Sequence, residues 1–242
     1  MVGKNQIKRI TSLHHKKFRK SSGYFIAEGR KVISELLEAG FALDALYVTS
    51  DLFNEVSPAL RQAVSEDIMA RMTALTNPSD CLAVFEMKQV AGLELSGLIL
   101  ALDDVRDPGN LGTIIRLCDW FGVKHLVCSP ESADVYNPKV VQATMGSLAR
   151  VNVHYLPLQE VLTTRSVPVF GTFMDGANVY HTALPKEGIL VLGNEANGIS
   201  DAVVSYCQNR LAIPRFGAEQ KTESLNVAMA AAIFLSEFRR GS

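Results

Sequence analysis

The chain has 242 residues, 48% of them hydrophobic, and a net charge of −1, which is enough apolar material for one large or two modest domains and excludes global disorder. No apolar run approaches the ~20 residues that span a bilayer, no apolar stretch follows the N-terminal lysines as a secretory signal requires, and Cys81, Cys118, Cys128 and Cys207 lack paired spacing. A reduced, cytoplasmic protein with no structural metal is expected. The near-neutral total hides an asymmetry: residues 1–31 hold nine Lys/Arg against one acid, Glu28, and the remainder holds 15 basic and 24 acidic residues. A cationic end on an anionic body points to a polyanion such as RNA or DNA, or to a plain solvated helix face.

In chain order, KRITSLHHKKFRKSSG reads as a basic helix or arm, YFIAEG as a short strand, and RKVISELLEAG as a helix that stops at Gly40. LDALYVTS is predicted as a strand, LFNEVSPALRQAVS as a helix and CLAVFEM as a strand, with KQVAGLELSG as the linker. From Gly97 the apolar strands Leu98–Leu102, His125–Cys128, Val151–Tyr155, Val167–Phe173, Ile189–Leu192 and Leu211–Ile213 are mostly separated by helical segments near 111–121, 138–149, 158–165, 199–208 and 224–239. Alternation of this kind predicts an α/β fold with a mostly parallel sheet covered on both faces. Asn137 as cap and Pro138 at the first helical position support the helix that follows them.

Ligands of such sheets sit outside the carboxyl ends of the strands, and three turns there are rich in polar residues. DDVRDPGN leads into a helix with Asn110 at the expected cap and with Gly112 and Arg116 four residues apart on one face. LVLGNEANGIS offers Gly193, Asn194, Glu195 and Asn197, without the spacing of a dinucleotide fingerprint. PRFGAEQKTESLN ends in Ser224, a candidate cap, and Asn226 in the first turn of the last helix. The AMAAA run in that helix permits close packing, in the core or at a dimer interface. The five histidines have no metal-ligand spacing, and no nucleophile elbow, Walker A loop or HExxH is present.

Taken together the three turns resemble the signature motifs of the SpoU (TrmH-type) RNA 2′-O-ribose methyltransferases of the SPOUT superfamily. DPGNLGTIIRLCDWFGV resembles the first motif, LVLGNEANGIS the second, and IPRFG with ESLNVAMAAAIFLSEF the third, and ATMGSLARV resembles the segment between the first two. The first 95 or so residues resemble, more loosely, the L30e/L7Ae-like RNA-binding domain of many members. The resemblance implies an RNA substrate-binding domain over 1–95 and a methyltransferase domain over 96–242. It also implies a trefoil knot, S-adenosylmethionine as methyl donor, and a homodimer with active sites at the subunit interface.

Carried over by motif position, Asn110, Arg116, Glu195, Ser224 and Asn226 would form the reaction site. Thr144, Gly146, Gly193, Asn194, Ile213 and Leu225 would contact the cofactor, and Lys16, Lys17, Arg19, Lys20 and Arg30 would meet RNA. Two departures stand out: Ala196 replaces a glycine usual in the second motif, and the stretch before Ser224 is longer than usual. The family proposal makes the first-motif arginine, here Arg116, the base that deprotonates the ribose hydroxyl. A guanidinium holds its proton up to a pH of about 12, so Arg116 either clamps the target phosphate or has its basicity lowered by a crowded cationic site. Ribosomal RNA is favoured over transfer RNA. The rival reading is a catalytically silent RNA-binding or ribosome-assembly protein; a Rossmann-type methyltransferase is weaker, for want of the glycine-rich first loop.

Overall fold

In the computed structural model, which describes residues 2–217 and 224–240, the basic N-terminal stretch is two helices, α1 (Lys4–Ser12) and α2 (Lys16–Ser22). β1 (Tyr24–Glu28), α3 (Arg30–Glu38) and β2 (Leu43–Val48) follow where the spacing predicts them. The segment LFNEVSPALRQAVS departs from expectation: it turns and forms β3 (Arg61–Ala63), which pairs parallel with β2. Pro58 in its middle cannot donate the hydrogen bond a helix interior needs. The helix comes later, as α4 (Glu66–Met72), where the Ser65 side chain accepts from the Ile68 amide and Glu66 and Asp67 favour the first turn. β4 (Cys81–Glu86) then inserts antiparallel between β1 and β2, completing a sheet of order β1-β4-β2-β3.

The remainder runs β5 (Leu98–Leu102), α5 (Pro108–Trp120), β6 (His125–Cys128), α6 (Pro138–Thr144), a 3-10 turn (Ser147–Ala149), β7 (Asn152–Tyr155), α7 (Leu158–Thr163) and β8 (Val169–Asn178). After a second 3-10 turn come β9 (Gly188–Leu192), α8 (Asp201–Val204), β10 (Asn209–Ala212) and α9 (Val227–Arg239). The expected cap at Asn137 is present, its side chain accepting from the Lys139 amide. Two others differ. Asp107 rather than Asn110 caps α5, and Asn226 rather than Ser224 caps α9. Pro108 fixes the first helical position of α5 and so puts the cap one residue before it.

Contacts divide the chain into two units. The first unit ends at Gln89 but also takes in Asp134–Arg150; the second holds Val90–Ala133 and the chain from Val151 on. Within the first unit α6 packs on β1 and α3, and Tyr136 sets its ring 4.6 Å from that of Phe25.

The second unit is a six-stranded parallel sheet of order β10-β8-β9-β5-β6-β7. β5 and β9 are buried along their whole length, as strands covered on both faces must be. Leu158, Val161 and Leu162 of α7 and Val203 of α8 close one core with Ile99, Ala101, Val169, Ile189 and Val191, while α5 and α9 pack on each other. The chain steps outward from β5 through β6 to β7 and resumes on the other side of β5. The connections after β5 and β9 therefore leave in opposite directions, which is the switch point where α/β sheets open a ligand crevice.

Candidate active site

The turns after β5 and β9 are tied together at that switch point. The Asn194 side chain donates to the Asp104 carbonyl at 2.7 Å and accepts from the amides of Ala196 and Asn197. The nearly buried Asp103 accepts from the Ser200 amide at 2.7 Å. Backbone bonds in both directions between Asn194 and Gly198 close the second turn. Gly193 is required by this crossing: a Cβ there would stand 2.1 Å from the Gly198 carbonyl carbon and 2.2 Å from the Ile199 nitrogen.

Three sequence-distant residues join in one chain of hydrogen bonds. The Asn226 amide donates to Asn110 Oδ1 at 2.9 Å, and the Asn110 amide donates to Glu195 Oε1 at 2.8 Å. Each amide is itself fixed. Asn226 Oδ1 caps α9 by accepting from Ala228 and Met229, and the Asn110 backbone amide donates to the Asp107 cap of α5. A carboxylate is thus aimed by two helix N-termini, through side chains with no ionisation of their own.

A cleft of about 1230 Å³ opens at the carboxyl ends of β8, β9 and β10. Gly193, Asn194, Glu195, Ile213, Ser224 and Leu225 all line it. Leu192, Ile199, Val227 and Phe234 make it largely apolar, and Glu195 is the one carboxylate among the described lining residues. Asn110 and Asn226 reach it through Glu195. Arg116 lies exposed further along α5, outside the lining, with no hydrogen-bond or ion-pair partner among the described residues.

The sequence reading missed Thr172, Phe173 and Met174, which also line the cleft. They lie in β8, which continues to Asn178, five residues past its predicted end. The signal was the glycine pair Gly171 and Gly176 bracketing a polar-apolar mixture in an otherwise apolar strand, a pattern of bulges and close approach.

Three expected site residues are placed elsewhere. Thr144 is buried in the first unit, its hydroxyl donating to the Val141 carbonyl, and Gly146 packs against Glu35 there; neither lines the cleft. Arg19, expected to meet RNA, is 1% exposed. Its guanidinium donates to Asp134 Oδ2 and to the carbonyls of Leu13 and His14, so it holds the α1–α2 corner and offers nothing to solvent. Lys16, Lys17 and Lys20 are exposed, and Arg30 is exposed but paired with Asp80.

No group of three or more potential metal ligands occurs among the described residues. Nor, among them, is any helix long and apolar enough to cross a membrane. All four cysteines are buried, and burial pushes the Cys81 thiol up to about 12 and that of Cys207 up to about 11, far from the thiolate character that nucleophilic chemistry requires.

The fold and cleft define an α/β protein whose candidate ligand site lies across β8, β9 and β10 of a parallel sheet, beside the tied turns of the β5/β9 switch. Residues 97–236 match the SpoU rRNA Methylase family, and residues 4–83 match the MRM3-like substrate binding domain. The chain belongs to the SpoU rRNA methylase family. It is similar to the 23S rRNA (guanosine(2553)-2′-O)-methyltransferase RlmP of Bacillus subtilis, 32% identical with 98% of this chain and 97% of that one covered. Among solved structures it is similar to a TrmH-family protein from Porphyromonas gingivalis, with TM-score 0.90, 40% identity and full coverage of both chains. It is also similar to an AdoMet-bound rRNA methyltransferase from Sinorhizobium meliloti, with TM-score 0.88, 28% identity, and 99% and 97% of the two chains covered.

Proposed function

We infer that the protein is an S-adenosylmethionine-dependent RNA 2′-O-ribose methyltransferase acting on ribosomal RNA in the cytoplasm. The observation that carries this reading is the Asn226–Asn110–Glu195 chain at the edge of a large apolar cleft, in a member of this family. The cleft suits the donor: apolar walls for the adenine ring and the aliphatic methionyl carbons, main-chain groups in the tight turn at Gly193 and Asn194, and the Glu195 carboxylate for a cation. When bound, S-adenosylmethionine supplies a methyl group already activated on a sulfonium. The protein's task is therefore positioning and the handling of one ribose proton.

Within that task Gly193, Asn194, Ile213 and Leu225 hold the cofactor, and Ser224 lies at the cleft edge with Glu195. Asn110 and Asn226 orient the carboxylate. Arg116 binds the phosphate beside the target ribose; its exposure and lack of a described partner favour a clamp over a buried base. Because Arg116 does not line the cleft of its own chain, the reading includes a homodimer in which it faces the partner's cleft. The exposed Trp120 on α5, Met229 on α9 and Leu225 supply an apolar surface for that contact. The family's knot is part of the same reading. Residues 1–95 serve as the RNA substrate-binding domain, with Lys16, Lys17, Lys20 and Arg30 on phosphate, and 96–242 as the methyltransferase domain.

The test combines calorimetry with S-adenosylmethionine and transfer of labelled methyl to ribosomal RNA lacking its modification. Cofactor binding and 2′-O-methyl product are expected. Cofactor binding with no product on ribosomal RNA would remove the substrate assignment, and no cofactor binding would remove the activity. Mixing Arg116→Ala with Glu195→Gln chains should restore part of the activity if the site is shared between subunits.

A further inference from the structure

The pairing of β10 with β8 jumps from Arg210 opposite Gly171 to Leu211 opposite Ala177, so the five residues Thr172–Gly176 leave the ladder. Thr172, Phe173 and Met174 of this excursion line the cleft, with Met174 60% exposed. An unladdered segment is ordinarily mobile, yet this one is gripped at several points.

Phe173 folds back over its own strand: its Cε2 lies 2.5 Å from where a Cβ on Gly171 would stand, so only glycine admits the ring there. The Arg210 guanidinium covers that ring at 3.5 Å from its centroid. The same guanidinium donates to Asp175 Oδ1 at 2.5 Å, and this bond holds the Asp175 carboxyl below the usual carboxylate range. At the far end Gly176 lies against the Leu211 backbone, where a Cβ would come within 2.5 Å of the Leu211 carbonyl carbon. Arg210 itself is not among the cleft-lining residues.

We propose that Arg210 is a positioning residue for the methyl donor: by covering Phe173 and pairing with Asp175, it holds Thr172–Gly176 as a preformed wall of the cofactor cleft. This rests on the reading of the cleft as the S-adenosylmethionine site. The physical basis is preorganisation. A wall already ordered in the free protein spares the ligand the entropy of ordering it, and a planar guanidinium both stacks and pairs where a lysine can only pair.

The test titrates S-adenosylmethionine and S-adenosylhomocysteine calorimetrically into the full-length wild type, Arg210→Ala, Arg210→Lys and Asp175→Asn. Arg210→Ala should weaken both ligands by about threefold to tenfold, the scale of one partly desolvated cation–π contact. Arg210→Lys, which keeps the charge for Asp175 but removes the planar cover, should fall between it and wild type, with Asp175→Asn closer to wild type. Apparent KM for the donor should rise with kcat preserved at saturation, and the melting temperature of the ligand-free protein should stay put because Arg210 is 40% exposed. Wild-type affinity in Arg210→Ala would overturn the proposal alone. A large fall in melting temperature in both Arg210 variants would overturn it in favour of a structural role. No binding by the wild type would sink the cofactor reading and this proposal with it.

Discussion

In the first unit two buried side chains that ordinarily carry a charge, Arg19 and Glu28, are 1% and 3% exposed and matched by partners: Asp134 and two carbonyls for the arginine, the Thr73 hydroxyl and the Ala74 amide for the glutamate. In the second unit Glu195 and Arg116 are exposed, the one bonded only to an amide and the other to nothing among the described residues. A charge whose hydrogen-bonding capacity is filled from within the fold supports structure. A charge held in place with capacity left over is available for chemistry, and residue type alone does not tell the two apart.

The largest expected effect breaks the comparison at Arg116. Arg116→Ala should lower methyl transfer by at least about a hundredfold, as removal of a positioning clamp does, with melting temperature and cofactor affinity unchanged. Arg116→Lys separates the roles: a bidentate phosphate clamp predicts a loss nearly as deep, and near-normal activity from lysine would rule that clamp out. Next comes Gly193→Ala, whose methyl would meet backbone 2.1 Å away. It should cost about 1–3 kcal/mol of stability and remove cofactor binding, since the turn carrying Asn194 and Glu195 has to move. Retained binding would mean that the turn does not form the cleft floor.

A third pair of variants contrasts two kinds of cation in the same helix. Arg19→Ala leaves Asp134 Oδ2 and the Leu13 and His14 carbonyls without their donor, and should destabilise the protein by roughly 3–5 kcal/mol. Replacing Lys16, Lys17 and Lys20 together by alanine should leave the melting temperature alone and weaken RNA binding. It should also flatten the salt dependence, by up to about 0.7–0.9 in log–log slope for each phosphate no longer neutralised. If the triple variant binds RNA with an unchanged slope, α2 is outside the RNA footprint.

Much of this is legible in the sequence. Periodicity places the parallel sheet of the second unit and the polar turns after β5, β9 and β10, and the family resemblance is what groups Asn110, Glu195 and Asn226. Other features depend on distances between residues far apart in sequence. Arg19 sits in a run of lysines, and nothing local distinguishes it; its burial follows from Asp134, 115 positions away. Motif position alone assigns Thr144 and Gly146 to the cleft, and their packing within the first unit is a tertiary outcome that motif order does not encode. The helix expected at 52–65 is different: Pro58 and the Ser65–Glu66–Asp67 start signal are both readable, and both place the helix later in the chain.

The smallest expected effect tests whether the buried charges of the first unit are as well matched as they look. Burial, the largest influence, pushes the Glu28 carboxyl up, against the opposing pull of the Thr73 and Ala74 hydrogen bonds. A carboxyl whose native pKa exceeds its unfolded one binds more protons when folded. Its stabilising contribution is therefore complete below the ordinary carboxylate range and is lost as pH rises through the raised value. Glu28→Gln does not titrate, and its amide oxygen still accepts from Ala74 while its NH2 donates to the Thr73 hydroxyl. In chemical denaturation from pH 4 to 7.5 the variant should therefore gain on the wild type as pH rises and then run parallel to it. A difference that stays constant with pH would mean that the hydrogen bonds fully offset the burial, and one that moves the other way would mean that they outweigh it. In either case Glu28 would be a satisfied anion.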